Sequence, residues 1–178
     1  NGSIKGVDLA KIVLKSILLL ENTGIQVMGM TSDGATTNRN MWSWLGISAK
    51  SHNFENSFEN PFDNQRSVYV FSDAPHLMKT IRNRLYTKKA LKIHPTKSFI
   101  KWKVYEDLYI HDSKNITRVC LRFTKNHFDL NNFSKMKVKF AVQIFSKSVA
   151  NGIIFYKNKQ FSGFDDSDET IQFTLLIN

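Results

Sequence analysis

Cysteine is nearly missing from this chain: one residue, Cys120, in 178. A lone thiol makes no intrachain disulfide and no cysteine-built zinc cluster. That places the chain in a reducing compartment, cytosol or nucleus, and the flanks in RVCLRF mark Cys120 as a buried structural thiol. Proline is scarce too, with three residues, while 42% of the chain is hydrophobic; that balance excludes a disordered or low-complexity chain. No apolar run reaches the ~18 residues of a membrane span, because the longest, IVLKSILLL, is broken by Lys15 and Ser16. No GxxxxGK[ST], GxGxxG or GxSxG pattern occurs, so Walker-loop, Rossmann and nucleophile-elbow chemistries have no support. No internal repeat is visible. The chain opens on Asn1 without a signal-peptide pattern and closes in the apolar run TIQFTLLIN. The expectation is a segment of a longer protein.

Positive charge, by contrast, is abundant: 25 Lys and Arg against 15 Asp and Glu give a net +10. A basic surface suits a polyanionic partner, nucleic acid above all, and equally a protein that is only kept soluble by its charge. The length suits one domain, or one domain plus part of another.

Val7–Asn22 has helical apolar spacing and stops at Thr23-Gly24. Ile25–Thr31 reads as a strand covered on both faces, because it is apolar on both parities. Thr36–Leu45 reads as a short helix with Met41, Trp42 and Leu45 on its apolar side. The polar stretch 48–66, SAKSHNFENSFENPFDNQR, reads as a long loop. Ser67–Phe71 reads as a second buried strand, and Pro75 then opens a helix, PHLMKTIRNRLY, where a first-turn proline is tolerated. This alternation predicts an α/β sheet with right-handed crossovers. Beyond it, 97–109 and 116–128 carry helical spacing, 132–156 reads as one long helix, and no further strand is evident.

Both strands run out on an aspartate, Asp33 and Asp73, and in α/β sheets function gathers at the carboxyl ends of strands. Asp33 is either a helix cap or a rigidly held metal ligand for phosphoryl transfer. Asp73 is a natural N-cap, and His76 one turn later is either a hydrogen-bond partner or a ligand-facing group. Asn38 and Arg39 either orient Asp33, meet phosphate, or form a solvated face. Lys79, Arg82 and Arg84 form a basic stripe that suits a phosphate backbone or plain solvent. Trp42, Trp44 and Trp102 suit base stacking, with core packing expected for at least two. The acidic run FDDSDE is either a cation site or a helix-capping loop.

Three blocks taken together, SDGATTNRNMWSWLGI, VYVFSDAPHLMKTIRNRLY and KMKVKFAVQIFSKSVANGI, resemble the P element-type transposases, including their THAP-containing animal relatives. The resemblance extends over nearly the whole chain. It implies a DDE-type transposase that cuts and pastes DNA in the nucleus by a two-metal mechanism on an RNase H-like domain. Val7–Asn22 then matches the first helix of that domain, Ile25–Thr31 its fourth strand and Ser67–Phe71 its fifth. Asp33 falls at the second catalytic acid, a Mg2+ ligand. The resemblance further implies a mainly helical insertion that binds GTP, as a cofactor for assembly with DNA, without a Walker loop. Asp129 and Lys135 are the candidate GTP contacts; read as residues alone, they are equally a helix cap and a solvated lysine.

The implied layout is a partial RNase H-like mixed sheet with flanking helices over 1–90 and a partial helical insertion over 91–178. The first aspartate and the third acid, a glutamate, are expected outside these residues, and one cysteine cannot build a THAP finger. The partners implied are transposon-end DNA and further copies of the same protein, with no membrane. Two other readings stay open: an inactive, domesticated or decayed copy that binds DNA or protein, and a nucleotide-binding regulatory module.

Overall fold

The first helix, α1 (Gly6–Asn22), buries Gly6, Ala10, Ile17 and Glu21 along one stripe, the spacing of a helix with one covered face. In this computed structural model, which describes residues 4–50 and 52–178, α1 belongs to the first of two units, Asn1–Leu77; the second is Met78–Asn178. The helix stops where expected: the Thr23 and Gly24 amides bond back to Leu20 and Glu21, with Gly24 at φ 87°, a conformation glycine adopts without strain. Helix α2 (Thr36–Trp44) buries Met41 and lies so close to α1 that a Cβ at Gly6 would fall 2.5 Å from Cβ of Asn40.

Strand β1 (Gly29–Ser32) pairs in parallel with β5 (Ser67–Ser72), in register from Gly29↔Tyr69 to Ser32↔Ser72. This strand is shorter and barer than its sequence suggests. Ile25 and Met28 lie outside it and are 53% and 57% exposed. The Val27 amide donates to Glu21 Oε1 at 2.8 Å rather than to a ladder, which delays strand pairing. The stretch expected as a loop carries three short strands instead, Ser51 lying outside the described residues. β2 (Ser48–Lys50) and β3 (Asn53–Glu55) form an antiparallel pair, and β4 (Ser57–Glu59) pairs antiparallel to β5. The small mixed sheet therefore has the order β1-β5-β4. Polar sequences of this kind pair where one face stays wet, so they show no buried-strand signature.

Glu21 is the polar centre of the first unit. Arg66 meets its two oxygens at 3.0 and 2.7 Å, and Asn60 Nδ2 adds a bond at 2.8 Å. Arg66 also holds Asp63 at 2.8 Å. The Arg66 guanidinium lowers the Glu21 pKa to about 2 despite burial.

Helix α3 (Ala74–Lys88) carries the chain across the unit boundary. In the second unit its residues Met78, Ile81, Leu85 and Tyr86 join a core centred on Trp102. A two-stranded pair, β6 (Ala90–Leu91) and β7 (Ile100–Lys101), precedes α4 (Trp102–Asp112), so the helix expected over 97–109 starts only at Trp102. Trp102 meets Tyr86, Tyr105 and Phe128, and Tyr156 stacks on Phe164. Each fully buried side chain of this size contributes roughly 1.5–3 kcal/mol.

The helix expected over 116–128 does not form. Asp112, fully buried at the end of α4, accepts the amides of Val119 and Cys120 and the Tyr156 hydroxyl, and pairs with Arg118 at 3.2 Å. This carboxylate folds the following chain back on itself, leaving only a 3-10 turn at Lys125–His127. The single helix expected over 132–156 is three: α5 (Asn132–Met136), α6 (Val138–Ile144) and α7 (Lys147–Asn158). Lys137 is extended between the first two, and Ser146 starts α7 afresh by accepting the Val149 amide. In α7, Gly152 leaves room for Cys120: a Cβ there would lie 2.6 Å from its sulfur. Helix α8 (Asp168–Leu176) closes the described chain with Asp168 and Glu169 in its first turn, where the helix dipole favours them. The whole is α/β, a small mixed sheet with flanking helices followed by a mainly helical unit.

Candidate active-site and nucleotide-binding residues

Because Ser32 and Ser72 are register partners, Asp33 and Asp73 leave adjacent parallel strands at the same level, and the Asp73 amide donates to the Ser32 carbonyl at 2.9 Å. Asp33 does not cap α2 directly, since the N-cap position is Ala35. Its Oδ1 accepts the Ala35 amide at 2.9 Å and Asn38 Nδ2 at 2.8 Å. Asn38 thus orients Asp33, while Arg39 points to solvent as an exposed residue. Trp42 Nε1 fixes Ser32 Oγ at 3.0 Å, directly before the aspartate.

Asp73 does cap its helix: Oδ2 accepts the His76 amide at 3.2 Å. His76 lies between the two acids, Nδ1 at 4.0 Å from Asp33 Oδ2 and Nε2 at 3.9 Å from Asp73 Oδ2. All three side chains are partly open to solvent. Magnesium takes a near-octahedral set of oxygens, some from water. Among the described residues no group of three or more His, Cys, Asp or Glu is placed to hold a metal. The donors present fit one ligand of such an ion and do not build its site.

Of the basic stripe, Arg84 is exposed and Lys79 half-buried, but Arg82 is fully buried. Its Nη2 donates to the carbonyls of Ser134 and Lys135 at 3.2 and 2.9 Å, closing the end of α5, and burial lowers its pKa. Arg82 is therefore a structural clamp and not a phosphate contact. Trp102 is buried, Trp42 half-buried, and Trp44 68% exposed. In the acidic run, Asp166 pairs with Lys101 and Asp168 with Lys157, so these carboxylates serve ion pairs around the start of α8.

Asp129 is exposed and its carbonyl accepts Ser134 Oγ; Lys135 offers its carbonyl to Arg82. Neither lines the cavities bounded by Arg122 and Gln143 or by Lys114 and Phe155. A concavity missed in the sequence is a cavity of about 500 Å³ bounded by Val119–Phe123, Val142, Gln143 and Ser146. It shares Arg122 and Gln143 with a neighbour of about 540 Å³ that adds Thr124, His127, Lys139 and Phe140. One groove thus joins an apolar wall to a basic, hydroxyl-bearing end. His127 Nδ1 accepts the Thr124 amide at 3.1 Å, which leaves Nε2–H to donate to Gln143 Oε1 at 3.0 Å. Burial lowers the His127 pKa, which favours the neutral ring. Burial, aided by the Asp112 charge, pushes the Cys120 thiol up to about 12, which makes it inert as a nucleophile. The signal for this groove lay in Arg122 and in the polar positions of QIFS, hidden by reading the stretch as one helix.

Residues 75–178 match the family described as TNP-like, GTP-binding insertion domain, and residues 1–46 the one described as TNP-like, RNase H N-terminal domain. The chain belongs to the P element-type transposase family. Within that family it is 32% identical, over 89% of its length, to the Transposable element P transposase of Drosophila melanogaster, and 25% identical, over 95%, to the DNA transposase THAP9 of Homo sapiens. It spans 20% and 18% of those two proteins. Among solved structures, the Drosophila P element transposase strand transfer complex matches all of this chain with a TM-score of 0.79 and 28% identity, and the chain covers 38% of that one. The RNase H-type match covers β1 and Asp33, and the match to the GTP-binding insertion domain covers the helical unit.

Proposed function

We propose that this chain is the central part of a nuclear DNA transposase, in which Asp33 is one of the catalytic acids and the helical unit binds GTP as an assembly cofactor. The observation that carries this reading is the placement of Asp33 at the carboxyl end of β1, level with Asp73 and facing His76, inside the RNase H-type match. In the proposed reaction, water or a DNA 3′-hydroxyl attacks a phosphodiester in line, forming one P–O bond as the opposite one breaks. Asn38 and the Ala35 amide hold Asp33 in one orientation, and Asp73 with His76 supports it from β5 and α3. In this reading Asp33 supplies one ligand to Mg2+, the remaining ligands coming from other parts of the protein. Arg39, Lys79 and Arg84 approach DNA phosphates at transposon ends, in a homo-oligomer of the whole protein.

For the nucleotide, the groove at Arg122 and Gln143 supports the reading better than Asp129 and Lys135. Its apolar wall suits a base, and Arg122 and Lys139 suit phosphates. Calorimetric titration with GTP, with ATP as control, tests this half: selective GTP binding is expected, lost in Arg122→Glu. The catalytic half is tested by replacing the corresponding segment of the Drosophila relative with this chain. Strand transfer is expected, falling at least a hundred-fold in Asp33→Asn. GTP binding with no strand transfer would favour a nucleotide-binding regulatory module. A folded chain that binds no GTP would favour a decayed copy.

A further inference from the structure

A separate concavity of about 630 Å³ lies in the helical unit, between the turn at Lys114–Thr117 and the end of α7 at Phe155–Phe161. It shares only Val119 with the Arg122 groove. Its aromatic surface is prearranged. Tyr156 is held by Asp112 at 3.1 Å and by Asn115 at 2.7 Å. Phe155 and Phe161 stand edge-on to that fixed ring, at 5.3 and 5.2 Å, yet remain 44% and 42% exposed.

The polar groups around these rings are unevenly used. Asn115 Nδ2 donates to both Tyr156 and the His111 carbonyl, while its Oδ1 takes no donor among the described residues. Lys89, Lys97, Lys101, Lys103 and Lys157 each pair with a carboxylate. Lys114 and Lys159, exposed on the two walls of this cavity, pair with none among the described residues.

Exposed aromatic faces flanked by uncompensated cations are the arrangement that holds single-stranded nucleic acid: bases stack and the backbone is neutralised. The geometry points to a site for one unpaired base and its flanking phosphates, as single-stranded DNA presents them. The base stacks against Phe155 and Phe161, Lys114 and Lys159 meet a phosphate on each side, and Asn115 Oδ1 accepts an exocyclic amine such as that of cytosine. One cation on each wall favours a base within a strand over a free mononucleotide, which carries its phosphate at one end. This site rests on the proposed function only for the choice of DNA as the polyanion.

The test is fluorescence anisotropy at neutral pH with the full chain and labelled oligodeoxycytidine, against a duplex of equal length. Single strands are expected to bind several-fold more tightly than duplex. Phe155→Ala is expected to weaken single-strand binding roughly ten-fold and leave duplex binding unchanged. Lys159→Glu, a fully surface change, is expected to lower the salt slope of single-strand binding by roughly 0.7 for each phosphate released. Unchanged single-strand binding in both variants, or equal loss on single strand and duplex, would overturn the site. Competition by free dCMP as strong as by the oligomer would overturn the assignment to DNA. GTP titration of the same variants separates the two readings. Intact GTP binding beside unchanged DNA binding sinks this site alone, whereas single-strand binding by a chain without GTP binding sinks the nucleotide half of the proposed function alone.

Discussion

Among the described residues, the first unit buries only Ala10, Ile17, Met41 and Val68 as full apolar core, while the second carries a continuous cluster from Leu85 to Phe173. The first unit instead concentrates its bonds on one carboxylate, Glu21, and on a three-stranded ladder. Apolar burial contributes in proportion to area and tolerates small shifts. A charge-assisted network adds little net stability but fixes geometry, because its bonds fail outside a narrow range of distance. The unit that places Asp33 is thus held by direction, and the unit with the cavities is held by packing.

Removing the centre of the packed unit should have the largest effect. Trp102→Ala is expected to cost about 3–5 kcal/mol, against a smaller loss for Met41→Ala in the first unit; urea unfolding followed by near-ultraviolet circular dichroism measures both. Equal losses would break the contrast. Next comes overpacking. Gly152→Ala forces a methyl against the Cys120 sulfur and is expected to cost about 1–3 kcal/mol, recovered largely in the double variant with Cys120→Ala; thermal unfolding of the three proteins checks this. Third, Ser146→Ala removes the cap that separates α7 from α6 and is expected to cost about 1 kcal/mol, read in the same way.

The last effect is a pH dependence set by Glu21, and it shows only in acid. Its folded pKa of about 2 lies below the ordinary 4.5 because of Arg66. The unfolded chain therefore binds the proton first as pH falls. The stabilisation is whole above about 4.5 and is lost as pH drops toward 2. Protection of the β1 and β5 amides against hydrogen exchange, taken relative to the intrinsic rate at each pH, should fall over that window ahead of the helical unit. Glu21→Gln should flatten the dependence.

Where order is local, the sequence was legible. α1, α3 and the aspartates that end β1 and β5 follow from apolar spacing, Thr23-Gly24 and Pro75. Where a distant side chain competes for the backbone, it was not. Nothing near Val119 shows that Asp112 will take its amide and forbid a helix, and nothing near Val27 shows that Glu21 will do the same to a strand. The polar strands β2 to β4 exist only through pairing. Arg82 illustrates the same limit at the candidate site: its spacing fits a solvated stripe, but α5 supplies the carbonyls that bury it. The break at Ser146 was the exception, because serine is an ordinary cap residue standing within an apolar run, whereas the break at Lys137 carries no such signal.

The polar centre of the first unit also sets an order of events in folding. Glu21 meets Asn60 and Arg66, 39 and 45 residues further along the chain. Those bonds reward the chain only after a long loop has closed, an entropic cost that rises by about 0.6 kcal/mol for each doubling of loop length. The helical turns around Ser146 and Asn131 close over a few residues and form early. On refolding, the pairing that brings Asp33 beside Asp73 is therefore slow relative to those turns, and during synthesis it waits until β5 has left the ribosome.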